Sequence, residues 1–165
     1  MTRDETGALQ ALLDAAADYT RDALGRPPRP GDAVAVLDGR PDGVSPIDKF
    51  AFGSWHDSEL VAFADVVRGY PAADVAYLGL LVVHPNHRRR GVARTFHDDL
   101  VMCLRSWDEI ARVRLSIVAT NAVTAEPFWS ALGYAPTGES RPIRRDDGVA
   151  TTVAFWERAV DRRAR

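Results

Sequence analysis

Apolar residues recur along the chain with two different spacings, and each spacing predicts a type of element. In residues 4–24, leucines and alanines return at three- and four-residue steps, which predicts a helix with one apolar face. Gly25 and the proline-rich loop that follows it end this helix. Residues 33–37 predict a short strand, and residues 38–48, rich in Gly, Pro and Asp, predict a loop.

Strands are predicted in the middle of the chain. Residues 50–56 and 60–68 are two strand-like runs, and a turn at residues 57–59 would join them as a hairpin. Residues 76–83 form the most apolar stretch and show no polar alternation. This is typical of a strand that is buried on both faces, so we place it at the centre of a sheet. Pro85 ends the central strand.

In the second half of the chain, helical and strand patterns alternate. Residues 91–107 have helical spacing, residues 113–117 alternate as in a strand, and residues 124–132 predict a short helix. Two final strands are predicted at residues 134–141 and 149–156. The central strand, the helix after it and the next strand form a crossover unit, which we expect to be parallel and right-handed.

These elements predict a mixed α/β (α+β) fold. Hairpins flank the crossover, so we expect a largely antiparallel sheet of about six or seven strands with helices on its faces. A chain of 165 residues has the length of one domain, and we predict a single domain over residues 1–165.

Composition and charge exclude several classes of function. The net charge of −2 gives no global attraction to nucleic acid or to anionic membranes. No window approaches the ~20 apolar residues of a membrane span, and residues 1–10 carry acids, unlike a signal peptide. We therefore expect a soluble, cytoplasmic protein. Cys103 is the single cysteine and is predicted to pack in the core, and no metal-ligand cluster is evident.

A basic turn between the central strand and the next helix is the most informative segment. The first N–H groups of a helix lack intrahelical acceptors, and the helix dipole favours an anion there. Gly91 allows close approach to the backbone, Ala93 is nearly as small, and residues 88–90 are arginines that suit phosphate oxygens. The turn therefore predicts a phosphate site. Solvated surface charge is the alternative, and the spacing is neither a Walker loop nor a dinucleotide fingerprint.

The turn resembles the acyl-CoA motif of the GNAT superfamily of N-acetyltransferases. The motif, Leu-x-Val-x-Pro-x-x-(Gln/Arg)-x-x-Gly-x-(Gly/Ala), is met without a gap by Leu81, Val83, Pro85, Arg88, Gly91 and Ala93. A second family motif is similar to residues 121–134, with Phe128, Trp129, Gly133 and Tyr134 at the family's spacing. Asn121 lies one residue farther upstream than in that motif. The element order is similar from about residue 50 onward, and residues 1–48 resemble the family less.

The resemblance implies transfer of an acetyl group from acetyl-CoA, or of another acyl group from its CoA ester, to an amine by direct attack in a ternary complex. In the family, the central strand splays from the next one, and the acyl-pantetheine lies in that wedge. One backbone N–H of the central strand would polarise the thioester carbonyl. The implied cofactor-binding residues are Leu81, Val82, Val83, Arg88, Arg89, Arg90, Gly91, Val92, Ala93, Arg94, Asn121, Phe128 and Trp129. Core packing is the alternative for the last two.

Amine attack requires a base that accepts a proton. Asp65 is the first candidate because it interrupts an apolar strand, where burial would raise the pKa of its carboxyl group. His84 is the second, and Glu59 and Asp74 are further candidates. A position that points at water is the alternative for Asp65, and a surface position is the alternative for His84.

The proton donor to the leaving thiolate is a separate question. Many relatives use a tyrosine at the position that Trp129 occupies here, and an indole N–H does not replace it. Tyr134 and Tyr77 are the remaining candidates. We therefore list Asp65, His84 and Tyr134 as the catalytic candidates.

The sequence leaves two points open: whether the acceptor is a small-molecule amine or a protein amine, and whether the chain forms a homodimer. The acceptor pocket could be shaped by the loop at residues 38–48 and by Phe52, Trp55, Phe63 and Tyr70. A catalytically silent acyl-CoA-binding module is the alternative function. A nucleic-acid binder that uses the arginine run is a third reading, opposed by the near-neutral net charge.

Overall fold

Six strands form one mixed sheet in the computed structural model, which describes residues 5–160. The strands are β1 (Lys49–His56), β2 (Glu59–Arg68), β3 (Val75–Val83), β4 (Arg112–Val118), β5 (Ala135–Arg144) and β6 (Ala150–Ala159). Their order in the sheet is β1-β2-β3-β4-β6-β5. The β3–β4 pair is parallel, and the other pairs are antiparallel. The predicted mixed, largely antiparallel sheet with a central crossover is therefore confirmed.

Helices cover both faces of the sheet. In the described residues they are α1 (Thr6–Ala15), α2 (Ala17–Leu24), α3 (Asp32–Asp38), α4 (Val92–Leu104) and α5 (Ala122–Ala131). One core cluster joins α4 and α5 to side chains such as Leu78 and Leu115. A second cluster joins α1 and α3 to Phe63, Leu80 and Val82. The sheet is thus a layer between two apolar cores.

The single helix predicted at the N-terminus is wrong. Residue 4 lies outside the described residues, and the rest of the segment forms α1 and α2, separated at Ala16. The apolar spacing hides this break because Leu9, Leu12, Leu13 and Ala16 are all buried along one stripe. A one-residue interruption of the helix leaves such a stripe nearly intact, so periodicity alone does not reveal it.

The strand predicted at residues 33–37 is also wrong, because the segment is helix α3. A short apolar run fits either a strand or a buried helical turn, and its surroundings decide between them. Here Ala33 is fully buried, and its backbone N–H donates to the side-chain oxygen of Gln10 on α1 at 3.2 Å. Contact with α1 therefore selects the helix.

The core position predicted for Cys103 is also wrong, because this residue is exposed on α4.

A β-bulge at Gly79 shapes the centre of the sheet. Across β2 and β3, Asp65 pairs with Leu80 and Val66 pairs with Leu78, so Gly79 is the extra residue. Bulges bend a strand and increase its local twist. The ladder between β3 and β4 ends just before the bulge, at the pair Leu78 and Leu115. The two strands therefore separate beyond this point.

Candidate active site

A wedge opens between β3 and β4 where their pairing stops. The two strands pair over Val75–Leu78 and Arg112–Leu115, and in the described residues no ladder pair extends farther. A cavity of about 330 Å³ lies beyond, with walls from residues 78–83 of β3, residues 115–118 of β4, and helices α2 and α5. The β4-facing backbone groups of β3 therefore offer an unpaired strand edge to a ligand.

Many of the predicted cofactor residues meet at this wedge. Its lining includes Leu81, Val82, Val83, Arg88, Ala93, Asn121, Phe128 and Trp129. The rings of the adjacent Phe128 and Trp129 lie edge to face, with centroids 4.9 Å apart. The other predicted residues, Arg89, Arg90, Gly91, Val92 and Arg94, lie at the start of α4, outside this lining. Segments far apart in the sequence thus converge on one cavity.

The start of α4 is an open corner. Gly91 precedes the helix with φ of +79°, a left-handed conformation that glycine adopts without strain. A Cβ atom placed on Gly91 would meet no heavy atom within 4 Å. The first N–H groups of α4 are therefore approachable by an anion, as the sequence predicts.

The arginines of the turn have different surroundings. Arg88 donates from Nε to the Val83 carbonyl at 3.0 Å, and its guanidinium group pairs with the Asp18 carboxylate of α2. The hydrogen bond from Arg88 holds the pKa of Asp18 below its usual value. Arg89 and Arg90 are exposed. Arg88 therefore connects the end of β3 to α2, whereas Arg89 and Arg90 are more accessible to an anion from solvent.

A second cavity, of about 300 Å³, adjoins the wedge on the side of α1, α2 and α3. The two cavities share three lining residues, Tyr19, Gly79 and Leu80. Asp65 lines the second cavity and forms a buried ion pair with Lys49 of β1. Burial raises the pKa of the Asp65 carboxyl group, and the nearby Lys49 opposes the rise. The burial expected for Asp65 is confirmed, whereas its role as the base stays a prediction.

The other two catalytic candidates lie elsewhere. His84 accepts a hydrogen bond from the Asn86 N–H at 3.2 Å, and its Nε2 atom is 3.6 Å from a Glu59 oxygen. The Tyr134 hydroxyl lies 3.0 Å from Nε2 of His97 in the core, where burial raises the pKa of this phenol. Neither residue lines the wedge or the second cavity. The structure therefore does not bring His84 and Tyr134 together with Asp65.

Tyr19 is a site residue that the sequence did not reveal. It lies on the apolar stripe of the N-terminal helices, so its spacing predicts a core residue. In the structure it lines both cavities. Burial, together with the nearby charges of Asp65 and Tyr77, raises the pKa of Tyr19 to about 12. Its phenol therefore stays protonated near neutral pH. It is a hydrogen-bond donor at the junction, the place where the two cavities share lining residues.

Tyr77 lies near the wedge as well. Its hydroxyl is 3.0 Å from Oγ of Ser116, which lines the wedge. Burial raises the pKa of Tyr77 too.

In the described residues, no group of three or more His, Cys, Asp or Glu side chains could hold a metal ion. None of the described helices is both long and apolar enough to span a bilayer.

Known proteins share this fold. An acetyltransferase from Thermus thermophilus aligns with a TM-score of 0.72 and 22% identity over 96% of this chain and 93% of its own. The ribosomal-protein-S18-alanine N-acetyltransferase of Escherichia coli aligns with a TM-score of 0.70 and 17% identity, over 99% and 93%. An aminoglycoside 6'-N-acetyltransferase in complex with coenzyme A aligns with a TM-score of 0.66 and 13% identity, over 99% of this chain and 95% of its own. At these identities the likeness establishes the fold.

Sequence comparison establishes the family. The model of the acetyltransferase (GNAT) family matches residues 9–134, which include β1 to β4, the basic turn and α5. A search of curated protein sequences gave no match. The matched residues contain both halves of the wedge and the open corner at Gly91. The chain therefore belongs to the acetyltransferase (GNAT) family and is an acetyltransferase.

Proposed function

We propose that the wedge holds acetyl-CoA and that the acceptor amine reaches the thioester from the second cavity. The observation that carries this proposal is that the two cavities share three lining residues, Tyr19, Gly79 and Leu80. A cofactor and an acceptor placed on the two sides would meet at the bulge of β3. Two bound reactants in contact fit direct transfer in a ternary complex.

The protein groups around the wedge suit the cofactor. The unpaired edge of β3 at residues 81–83 presents backbone N–H and C=O groups for the pantetheine amides. The open corner at Gly91 fits the pyrophosphate, because a side chain is absent there and the first N–H groups of a helix have no intrahelical acceptor. Arg89 and Arg90 add positive charge at the same corner. Bound acetyl-CoA supplies an activated thioester.

Asp65 is the proposed base. Its carboxylate lies against the bulge, since a Cβ placed on Gly79 would be 2.9 Å from Asp65 Oδ2. The raised pKa of this carboxyl group brings it closer to the working pH of a base. An N–H group of β3 polarises the thioester carbonyl oxygen. Tyr19 donates a hydrogen bond to the departing sulfur, in place of the tyrosine proton donor that many relatives have at the position of Trp129.

Substitution of Gly91 tests the cofactor site. Gly91→Ala and Gly91→Glu carry the same left-handed backbone, which costs each variant about 1–2 kcal/mol of folding free energy. The Glu variant also places a negative charge at the open corner. We expect Gly91→Glu to weaken coenzyme A binding at least ~10-fold more than Gly91→Ala, measured by calorimetry. Equal affinities of the two variants would refute the corner as the phosphate site.

Turnover tests the roles at the junction. Asp65→Asn keeps the size of the side chain and removes the base. We expect it to lower kcat by about 100-fold or more, measured as thiol release from acetyl-CoA, with coenzyme A affinity little changed. Full activity of this variant would exclude Asp65 as the base. A chain that binds coenzyme A but releases no thiol with any amine would instead be a silent binding module.

The extent of the domain and the choice of acyl group remain part of the proposal. We propose that residues 1–165 form one domain, which the alignments over 96–99% of the chain with whole acetyltransferases support. We also propose acetyl-CoA rather than a longer acyl-CoA, in line with the name of the matching family. A comparison of kcat/KM for acetyl-CoA and longer acyl-CoA esters tests that choice.

A further inference from the structure

The second cavity combines apolar walls with a buried ion pair. Its volume of about 300 Å³ is at the small end of the range for ligand sites. The apolar part of its lining is Leu13, Leu24, Ala35, Val36 and Leu80. The Lys49 and Asp65 side chains that also line it are 10% and 6% exposed. Such a site suits a small molecule that has both an apolar part and charged groups.

The two ion pairs that line this cavity differ in how fully they are bonded. Arg26 donates from two nitrogens to the Asp32 oxygens, both at 2.8 Å, and from Nε to Asp146. Asp32 also accepts from the Arg29 N–H at 2.8 Å. By contrast, Asp65 is the one side chain to which Lys49 donates in the described part of the chain. An ammonium group has three N–H donors, so Lys49 retains donors for a ligand.

We propose that the acceptor is a free α-amino acid with an apolar side chain, whose amine lies at Asp65 and whose carboxylate binds Lys49. This inference rests on the proposed function, because it uses the second cavity as the acceptor site. The side chain of the amino acid packs against the apolar walls. The carboxylate occupies the donors that Lys49 retains.

Charge balance supports a zwitterion over a cation. The Lys49–Asp65 pair is neutral as a whole, and a zwitterionic amino acid adds no net charge to the buried site. A cationic amine without a carboxylate would add an uncompensated positive charge beside Lys49, which is costly in a buried place. After the amine proton has moved to Asp65, the ligand carboxylate and Lys49 still neutralise each other.

The position of the amine fits the transfer step. The Asp65 oxygens lie against Gly79, which lines both cavities. The ammonium group of the zwitterion first loses one proton to Asp65, which leaves a neutral amine. The amine nitrogen then forms a bond to the thioester carbonyl carbon, and the carbon–sulfur bond breaks. The sulfur leaves with the electron pair of that bond and takes up the second proton that the nitrogen loses. The products are an N-acetyl amino acid and free coenzyme A.

Three related acceptors test the inference on the wild-type chain. Leucine carries both charged groups, leucinamide lacks the carboxylate, and 3-methylbutylamine lacks the whole carboxyl carbon. We expect kcat/KM for leucine to exceed the other two by about 10- to 100-fold, the worth of one hydrogen bond to a charged group. The assay is thiol release from acetyl-CoA, with the N-acetyl product identified by mass spectrometry. Equal rates with leucinamide would overturn the inference and indicate a peptide terminus.

Variants of Lys49 connect the preference to one residue. We expect Lys49→Met to reduce the ratio of kcat/KM for leucine over leucinamide to about 1, whereas Lys49→Arg keeps most of it. Coenzyme A titration and thermal unfolding are the controls for an intact cofactor site and fold. A Lys49→Met variant that keeps the wild-type ratio would refute the inference. If Lys49→Met does not fold, the three acceptors on the wild-type chain and the ratio measured for Lys49→Arg still test the inference.

The outcomes separate this inference from the proposed function. A wild-type chain that acetylates amines without preference for a carboxylate overturns the amino-acid acceptor and leaves the acetyltransferase site standing. A strong preference for a polycationic amine such as spermidine over leucine likewise overturns the amino-acid acceptor, together with the charge-balance reasoning, and leaves the acetyltransferase site standing. Failure to bind coenzyme A, or to release thiol with any amine, would overturn the proposed use of the wedge itself.

Discussion

The bulge at Gly79 makes a sharp prediction, because a single added methyl group would touch the proposed base. A Cβ atom at this position would lie 2.9 Å from Asp65 Oδ2, 3.1 Å from Oδ1 and 3.3 Å from Cγ. Ordinary carbon–oxygen contacts begin near about 3.3 Å. In Gly79→Ala the carboxylate therefore has to move by several tenths of an ångström. Lys49 and the packing around the buried pair oppose this movement.

The expected cost follows from this geometry. Overpacking of a well-packed site costs about 1–3 kcal/mol, which lowers Tm by roughly 2–4 °C per kcal/mol for a chain of this size. Displacement of the base by a fraction of an ångström should lower kcat by about 10-fold or more. The affinity for coenzyme A should change little, because the open corner at Gly91 is untouched. Denaturant unfolding, acetyl-CoA turnover and calorimetry measure the three quantities.

Gly7→Ala is the matched control for this substitution. Gly7 lies in α1, and a Cβ atom placed there meets no heavy atom within 4 Å. Alanine should therefore be neutral or stabilise the chain by about 0.5–1 kcal/mol, with kcat unchanged. If Gly79→Ala behaves like Gly7→Ala in both stability and turnover, the proposed contact between the bulge and Asp65 is wrong.

Two further predictions concern charge. His97 is fully buried, and burial lowers its pKa to about 4, so stability is complete above pH 6.5 and falls as the pH drops toward 4. By pH 5 the wild-type chain should have lost about 2 kcal/mol of unfolding free energy. Between pH 7 and pH 5, denaturant unfolding should therefore show a loss for His97→Gln that is smaller by about this amount. Equal losses for the wild type and the variant would contradict this role of His97. Asp18→Asn breaks a largely exposed pair with Arg88, so stability should change by less than about 1 kcal/mol. The same change should tighten coenzyme A binding a few-fold at low salt and not at 1 M salt, whereas weaker binding at low salt would assign Asp18 a favourable role.

The sequence alone predicts the proposed cofactor side of this protein, because the relevant signals are local. The strand, the turn and the helix start lie within residues 81–94, and their residue types depend on the backbone of that segment. Local patterns of apolar residues and turn residues also predict every described strand from β1 onward, with ends shifted by a few residues. Local backbone preference and one contiguous motif therefore suffice for this half of the site.

Only the tertiary structure reveals the proposed acceptor side, because it depends on contacts between distant segments. Asp65 meets Lys49 across two antiparallel strands, and Tyr19 reaches the junction through a helix break that the apolar stripe conceals. The same long-range packing turns the apolar run of α3 into a helix and buries Tyr134 beside His97. Periodicity reports which face of an element is apolar, and it does not report which partner that face meets.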